Sequence, residues 1–346
     1  MPLAITLPLN PDVLASRGPY PRALNVLSRK QTAVQRQLRR SGLAGYEPTT
    51  QATLLALAGQ APAGGAVYDI GAHIGLYSAL VDAVYGRRPG GPRTIAFEPT
   101  PLTAALCRRI RHCNNLDYEV QQTALSSAPG TAELYFSHKS ESSNSLNPAH
   151  RKHTASVTVP VTTVDAFTED RGLVPHLIKV DVETYEAAVL TGALATIRRH
   201  RPWIICELLP SADHGSLRTA LTPLIAMDYG LHPITPESPW QRYDETTYQQ
   251  AVSPQSRDWL LAPRPLTPAF HRAVRRWLIA ILACDETTNL LTSDKASFPF
   301  AWNAPYRPRS RTLRPALTRL TAAAALVRPP VTLRQAALPL RRPTGS

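Results

Sequence analysis

Lysine is almost missing from this chain: of 38 basic residues only 5 are lysine and 33 are arginine. Cysteine is scarce as well. The four present, Cys107, Cys113, Cys206 and Cys284, form no C-x-x-C pair, which excludes a zinc ribbon and a thioredoxin-like redox motif. Reduced thiols in a cytoplasmic protein are the expectation. The ten histidines contain no H-x-x-x-H pair, and no bound metal is expected. The first twenty residues lack a basic segment followed by an apolar stretch, so no secretory signal is expected. The longest apolar run near the C-terminus, Trp277 to Cys284, is far too short to cross a bilayer. A G-x-G-x-x-G fingerprint is also missing, which argues against a dinucleotide pyrophosphate site.

What is there describes a folded protein with two basic arms. The 346 residues, 43% of them hydrophobic, can hold one large α/β domain plus extensions. The formal charge of +13 divides into +6 on residues 1–46, −3 on 47–264 and +10 on 265–346. A nucleic-acid enzyme would show a basic stripe around its site rather than basic ends, so nucleic acid is not the expected partner. Three segments result. They are a basic N-terminal helical arm (1–46), a main domain (47–264) and a basic Pro/Arg/Ala-rich C-terminal extension (265–346), part of which is expected to be disordered.

Residues 1–20 read as irregular. Pro21 then suits the first position of a helix that places Leu24, Leu27, Val34 and Leu38 on one face and ends at Gly42. A second helix is predicted from about Thr50 to Gln60. From Val67 onward short apolar runs alternate with helical stretches. The runs are Val67–Ile70, Thr94–Phe97, Glu119–Ala124, Leu177–Val180, Trp203–Cys206 and Trp259–Ala262, with helices at roughly 76–86, 100–114, 184–200 and 211–227. That rhythm predicts a mostly parallel, doubly wound sheet with right-handed crossovers. Thr131–Ser137 and Ser156–Thr163 read as an antiparallel pair inserted between βα units. Beyond Pro265 a helix near 270–284 gathers Val274, Trp277, Leu278 and Ile281 on one side.

Three constellations carry chemistry. In Val67-Tyr-Asp-Ile-Gly-Ala-His-Ile-Gly75 a strand enters a turn and then a helix. Gly71 lets the backbone turn tightly, and Gly75 lets helix and strand, or a ligand, approach closely. The carboxylate of Asp69 beside that turn suits a positively charged cofactor such as S-adenosylmethionine, which bears a sulfonium and an ammonium; tying down the turn is its structural alternative. Glu98 closes the next strand, 27 residues after Gly71, where a carboxylate can accept hydrogen bonds from two ribose hydroxyls. Its alternative is to cap the following helix. In Lys179-Val-Asp181-Val-Glu183-Thr-Tyr-Glu186 the fourth core strand ends beside the expected crevice. Methyl transfer needs an aligned acceptor and a group to take its proton. Asp181, Glu183 or a loop residue could serve, and a neighbouring carboxylate would raise the pKa of one of them. Glu186 reads as a complement to the helix N-terminus.

Together these segments resemble the FkbM family of methyltransferases. The resemblance rests on Tyr68-Asp-Ile-Gly-Ala-His-Ile-Gly-Leu-Tyr-Ser78, Ile95-Ala-Phe-Glu-Pro-Thr-Pro101, Ala124-Leu-Ser-Ser127, Ser142-Ser-Asn-Ser-Leu146, Val161-Thr-Thr-Val-Asp165, Ile178-Lys-Val-Asp-Val-Glu183 and Arg201-Pro-Trp-Ile-Ile-Cys-Glu207, in that order. Gly45-Tyr-Glu-Pro-Thr49 looks like the approach found in some members. The resemblance extends over about residues 43–262. It implies a Rossmann-like methyltransferase fold with S-adenosyl-L-methionine as donor. It also implies Asp69, Gly71, Ala72, His73 and Gly75 at the methionine side, Glu98 at the ribose and Ala124 near the adenine. His73 stands where the family commonly has Asn, and Thr184 where it usually has Gly. Glu207 matches a recurrent glutamate whose role is substrate contact or structure.

Two polar loops are candidate substrate selectors. His138–His150, with Ser142, Ser143 and Asn144, could fold over the cofactor mouth, and Pro236–Ser256 brings Trp240, Tyr243 and Tyr248. The expected activity is O-methylation of a hydroxyl on a small molecule such as a sugar, a polyketide or another secondary metabolite. The alternatives are a methyltransferase for RNA or another macromolecule, and a catalytically impaired cofactor-binding protein.

Overall fold

The computed structural model describes residues 4–8, 23–27, 32–86, 88–137, 144–150 and 152–284. Strands β1 (Ala4–Thr6) and β2 (Ala23–Asn25) pair antiparallel, with Ile5 opposite Leu24 and both buried. The helix expected from Pro21 therefore begins later, as α1 (Ala33–Ser41). A capping box explains the start. The Thr32 hydroxyl accepts from the Gln35 N–H at 3.2 Å, and the Gln35 side chain accepts from the Thr32 N–H at 3.0 Å. Helix α2 (Pro48–Ala58) is buried on all sides.

The α/β rhythm follows as predicted. In chain order come β3 (Gly65–Ile70), α3 (Leu76–Val81) with a π-helical turn over Asp82–Gly86, β4 (Arg93–Phe97), α4 (Pro101–Cys113) and β5 (Glu119–Gln121). The short β6 (Ala124–Leu125) leads into the hairpin β7 (Gly130–Ser137) and β8 (His153–Thr162). Then come α5 (Val164–Arg171), β9 (Val174–Val180), α6 (Glu186–Thr191), α7 (Leu194–His200), β10 (Trp203–Glu207), α8 (His214–Ala226), β11 (Gly230–Pro233), β12 (Asp258–Ala262) and α9 (Pro268–Leu282). The stretch expected as one helix over 184–200 is two, broken at Gly192-Ala193.

The main sheet has the order β5-β4-β3-β9-β10-β12-β11. Its first five strands are parallel, and β12 runs antiparallel to both its neighbours. The run Trp259–Ala262 was expected among the parallel strands. Its direction is reversed because a loop, not a crossover helix, brings the chain back from β11. The antiparallel pair predicted at 131–137 and 156–163 is present as β7 and β8, in a separate three-stranded sheet with β6.

Alternate strand residues feed two cores. Val67, Ile205, Leu260 and Ala262 face α2, α3 and α9, while Tyr68, Ile70, Ile204 and Leu261 face α5 to α8. The chain winds outward from β3 through β4 to β5, then crosses back to β9 and β10. The reversal between β3 and β9 opens a crevice at their C-terminal ends, where α/β sheets bind ligands. Among the described residues no helix is long and apolar enough to cross a membrane. The Pro/Arg/Ala-rich stretch of the C-terminal extension and the disorder expected of it lie outside the described residues.

Candidate active site

The crevice begins with the turn after β3. Gly71 is at φ +80°, and a Cβ there would meet the Asp181 carbonyl oxygen at 1.8 Å. A bare Cα is what lets the ends of β3 and β9 close on each other. The N–H groups of Gly71 and Ala72 both donate to the Phe97 carbonyl at 3.0 Å, which ties the turn to β4. Gly75, at φ +75°, serves close packing of a different kind: its Cβ would meet Cys107 Sγ at 2.4 Å. Asp69 points under the turn. Its Oδ2 accepts from the Ser78 N–H (3.0 Å) and hydroxyl (2.7 Å), and its buried Oδ1 meets no donor. Burial raises the Asp69 pKa against the opposing pull of Lys179.

Glu98 holds both sides of the crevice mouth. Oε1 accepts from the Thr100 N–H and the Thr103 hydroxyl, each at 2.8 Å; the N-cap of α4 is Thr100 rather than Glu98, and no side chain caps the helix there. Oε2 accepts from the His73 N–H at 2.8 Å, and a carboxylate oxygen has a second lone pair for a further donor. Burial raises this carboxyl's pKa, and the hydrogen bonds from Thr100, Thr103 and His73 pull the other way.

Gly71, His73, Glu98 and Ala124 line one cleft from the β3–β4 side, and Asn144, Asp181 and Glu183 line it from the other. Phe97, Leu125 and Leu134 form its apolar wall. Asp69, Ala72, Gly75 and Glu207 stand behind this lining. Ser143 lies outside the described residues.

The described part of the first polar loop docks on the turn between β9 and α6. The Ser145 hydroxyl donates to the Glu183 carbonyl at 2.7 Å, and Asn147 Nδ2 donates to Thr184 Oγ1 at 2.9 Å. His150 Nε2 lies 3.1 Å from Glu183 Oε2. Glu183 and Thr184 are both left-handed, at φ +55° and +73°. Glu186, the first residue of α6, accepts from the Val182 N–H of the preceding turn at 3.1 Å. The second loop does not reach the cleft: Trp240 stacks edge-on against Phe270, while Tyr243 and Tyr248 pack on Trp259. Their aromatic surface is spent on the core, so the reading of that loop as a substrate selector is corrected.

At the inner end of the cleft six side chains form an open ring. The Tyr77 hydroxyl donates to Glu47 Oε2 at 2.5 Å, Glu47 pairs with Arg257, and Arg257 Nη1 meets Glu207 Oε1 at 3.0 Å. Asp181 Oδ2 receives Lys179 Nζ at 2.8 Å, and Lys179 lies 4.5 Å from the centroid of the Tyr77 ring. Burial disfavours the Asp181 charge, yet Lys179 and Arg257 outweigh it and hold that carboxyl below its ordinary range. Burial and the Asp181 charge push Glu207 well above its ordinary range. Sequence reading anticipated a coupled carboxyl pair but took Glu183 as the neighbour of Asp181. The ring's other members, Glu47, Tyr77, Lys179 and Arg257, were missed. Lys179 was signalled, being a lysine inside an otherwise apolar strand.

Residues 69–230 match the methyltransferase FkbM domain. A comparison with curated proteins finds no match. Among solved structures, methyltransferase FkbM from Methylobacillus flagellatus KT is 20% identical, over 51% of this chain and 42% of that one, with a TM-score of 0.35. This chain thus spans less than half of that protein's length. Precorrin-6y C5,15-methyltransferase from Geobacter metallireducens GS-15 is 11% identical over 67% of this chain and 90% of that one (TM-score 0.33). Magnesium protoporphyrin IX methyltransferase from Synechocystis PCC 6803, solved with bound SAM, is 10% identical over 63% and 85% (TM-score 0.32).

Proposed function

We propose, on the premise that residues 69–230 match the methyltransferase FkbM domain, that this protein methylates a hydroxyl of a small molecule with S-adenosylmethionine as donor. The observation that carries the reading is the convergence of the Gly71 turn, Glu98 and Asp181 on one cleft at the reversal point of the sheet.

The residues present fit the donor. Glu98 Oε2 keeps a lone pair for a ribose hydroxyl, and Phe97, Leu125 and Leu134 offer an apolar wall to a purine. At the inner end carboxyl groups outnumber cations even with Glu207, whose raised pKa favours the neutral form, set aside: Asp181, Glu183 and Glu47 against Lys179 and Arg257. That balance favours a ligand carrying positive charge. When bound, the donor supplies a methyl group made electrophilic by its sulfonium. The protein's part is to orient the acceptor and take its proton. Asp181 is the acceptor of that proton in this reading, because it lines the cleft with its side chain 22% exposed. Glu183 is engaged with His150.

Calorimetric titration with S-adenosylmethionine, S-adenosylhomocysteine and NAD tests the cofactor assignment. Saturable binding of the two sulfur compounds, no binding of NAD, and at least a tenfold loss in a folded Glu98→Gln variant are expected. Protein that melts cooperatively yet binds neither sulfur compound would overturn the reading. Screening hydroxylated acceptors against amines and thiols then decides the acceptor class.

A further inference from the structure

The segment 144–149 borders two depressions. Asn144, Ser145 and Leu146 line the cleft described above, whereas Asn147 and Ala149 line a second groove between α6 and the start of α8. Tyr185 lines both, so the two are continuous at its ring. The Ser126 hydroxyl lies 3.3 Å from the Tyr185 hydroxyl and fixes that ring at the junction. From there the groove follows α6, whose six residues rise about 9 Å. At its far end a Cβ on Gly192 would meet the Ser126 carbonyl oxygen at 2.0 Å, so a bare Cα lets α6 end against the chain that carries Ser127 into the lining.

The chemistry of this groove is that of neutral hydroxyl recognition. Among the described residues no lysine, arginine or histidine lines it, so nothing there receives a phosphate or a carboxylate. Its one carboxylate, Asp213, is taken up at the start of α8. It accepts from the Gly215 and Ser216 N–H groups at 3.0 and 3.3 Å and from the Ser216 hydroxyl at 2.6 Å. On the ridge between cleft and groove donors are left over. Asn147 Nδ2 spends one of its two hydrogens on Thr184 Oγ1, and the Thr184 hydroxyl, accepting that bond, keeps its own. On the helices acceptors are left over. The Thr191 and Thr219 hydroxyls donate to the Ala187 and Gly215 carbonyls at 2.8 and 3.0 Å and keep their lone pairs. A ligand hydroxyl both donates and accepts, and so satisfies both sides; a hydrocarbon satisfies neither, and an anion only one. The Tyr185 ring and the alanine methyls at 187, 188 and 212 add a shallow apolar surface for the C–H face of a sugar ring.

We propose that the groove between α6 and α8 is an acceptor subsite for a neutral oligosaccharide: the terminal sugar enters the cleft past Tyr185, and the rest of the chain lies along α6. This rests on the methyl-transfer reading above and narrows its acceptor from any hydroxylated small molecule to a glycan of more than one sugar unit. Asn147, Thr184 and Tyr185 are specificity-determining residues in this arrangement, because they stand where the glycan crosses from groove to cleft. The threonine at 184 gives the crossing a hydroxyl donor that glycine would lack.

The test reads acceptor binding without turnover. Purified full-length protein with S-adenosylhomocysteine in excess is studied by saturation-transfer NMR. The probes are maltotriose, cellotriose and mannotriose, the monosaccharides glucose and mannose, glucose 6-phosphate, and an uncharged macrolactone aglycone. At least one trisaccharide is expected to bind about tenfold tighter than its own monosaccharide, with transfer to more than one of its rings. Thr191→Trp and, separately, Thr219→Trp place an indole in the groove from exposed helix positions. Each should weaken the trisaccharide about tenfold and leave calorimetric affinity for S-adenosylhomocysteine unchanged. The inference is overturned, with the cofactor site left standing, by silence of all the trisaccharides on protein that binds S-adenosylhomocysteine. Equal affinity for mono- and trisaccharide, preference for the phosphate ester or the macrolactone, or trisaccharide binding untouched by both substitutions has the same consequence. A folded protein that binds neither S-adenosylmethionine nor S-adenosylhomocysteine overturns the cofactor reading, and this inference with it.

Discussion

Asn147 donates a hydrogen bond to the Thr184 hydroxyl at 2.9 Å, and Thr184 accepts it from a backbone held at φ +73°. A β-branched residue in the left-handed region carries strain of about 1–2 kcal/mol. Glycine would avoid it, and glycine is what the FkbM resemblance leads one to expect there. The threonine hydroxyl instead latches the loop at 144–150 to the turn after β9. Two variants separate the terms. Thr184→Ala keeps the strain and loses a bond of about 1 kcal/mol, so its unfolding free energy falls by about that amount. Thr184→Gly loses the same bond but relieves the strain, and stays within about 1 kcal/mol of the parent. Glycine is thus more stable than alanine at 184, the reverse of the usual order. Urea denaturation finding alanine equal or better would show that the backbone there is not strained.

Gly71 and Gly64 share nearly the same backbone, φ +80° and +79°, but not the same surroundings. Around Gly64 a Cβ meets nothing within 4 Å, whereas at Gly71 it would overlap the Asp181 carbonyl oxygen at 1.8 Å. Gly64→Ala is expected to cost about 1–2 kcal/mol, from the left-handed backbone alone. Gly71→Ala adds the forced separation of β3 and β9 and costs more than about 3 kcal/mol. It also abolishes binding of S-adenosylmethionine, because the cleft lies across that junction. Similar melting temperatures for the two variants would mean that the close approach at Gly71 is not fixed.

The turn at Gly71, the carboxylate at Glu98 and the end of β9 were legible because each is local: a glycine spacing, or an acid closing an apolar run. Strand direction was not. An apolar run such as Trp259–Ala262 looks the same whichever way it threads the sheet, and only the loop before it reverses it. The N-terminal arm misled for a related reason. Leu24 and Leu27 sit three apart, which fits a helix, but the Gln35 amide binds the Val26 carbonyl at 2.5 Å and the Leu27 carbonyl as well. That pins the end of β2 outside the helix, with Leu27 left-handed at φ +49°, and the helix starts after Thr32. The inner ring was hidden by distance along the chain. Glu47 and Arg257 meet 210 residues apart, and no local pattern in a single sequence records such a pair.

Glu186 makes stability depend on pH. Burial raises its pKa to about 8, from an ordinary carboxyl value of 4.5. The folded protein therefore keeps this proton over a range where the unfolded chain has lost it. The folded state binds the extra proton, so this group's contribution to stability falls as pH rises from about 4.5 to about 8, with ~1.4 kcal/mol per pH unit as the ceiling on its slope. Glu186→Gln stays neutral and can still accept from the Val182 N–H. Its melting temperature should match the parent near pH 5 and exceed it near pH 8.5. Parallel melting curves across that range would mean that Glu186 ionises without cost.

Helix α9 shows how the basic C-terminal extension joins the domain. Its apolar side presents Val274, Trp277, Leu278 and Ile281 to the core shared with α2 and α3, and Trp277 is fully buried with its ring 6.2 Å from that of Tyr85. An apolar helix face flanked by arginines, here Arg272, Arg275 and Arg276, is also the pattern of a surface that docks on an acidic membrane. The buried face is the one such docking would need. Trp277→Ala therefore removes a core aromatic and costs about 3–5 kcal/mol, read as a drop in the urea midpoint. Arg272→Gln with Arg275→Gln leaves stability within about 0.5 kcal/mol, as surface changes do. Cosedimentation of the parent with vesicles of anionic phospholipid adds the decisive control. A tryptophan blue shift on binding, lost in Trp277→Ala, would mean that α9 leaves the core and that its apolar side serves the lipid instead.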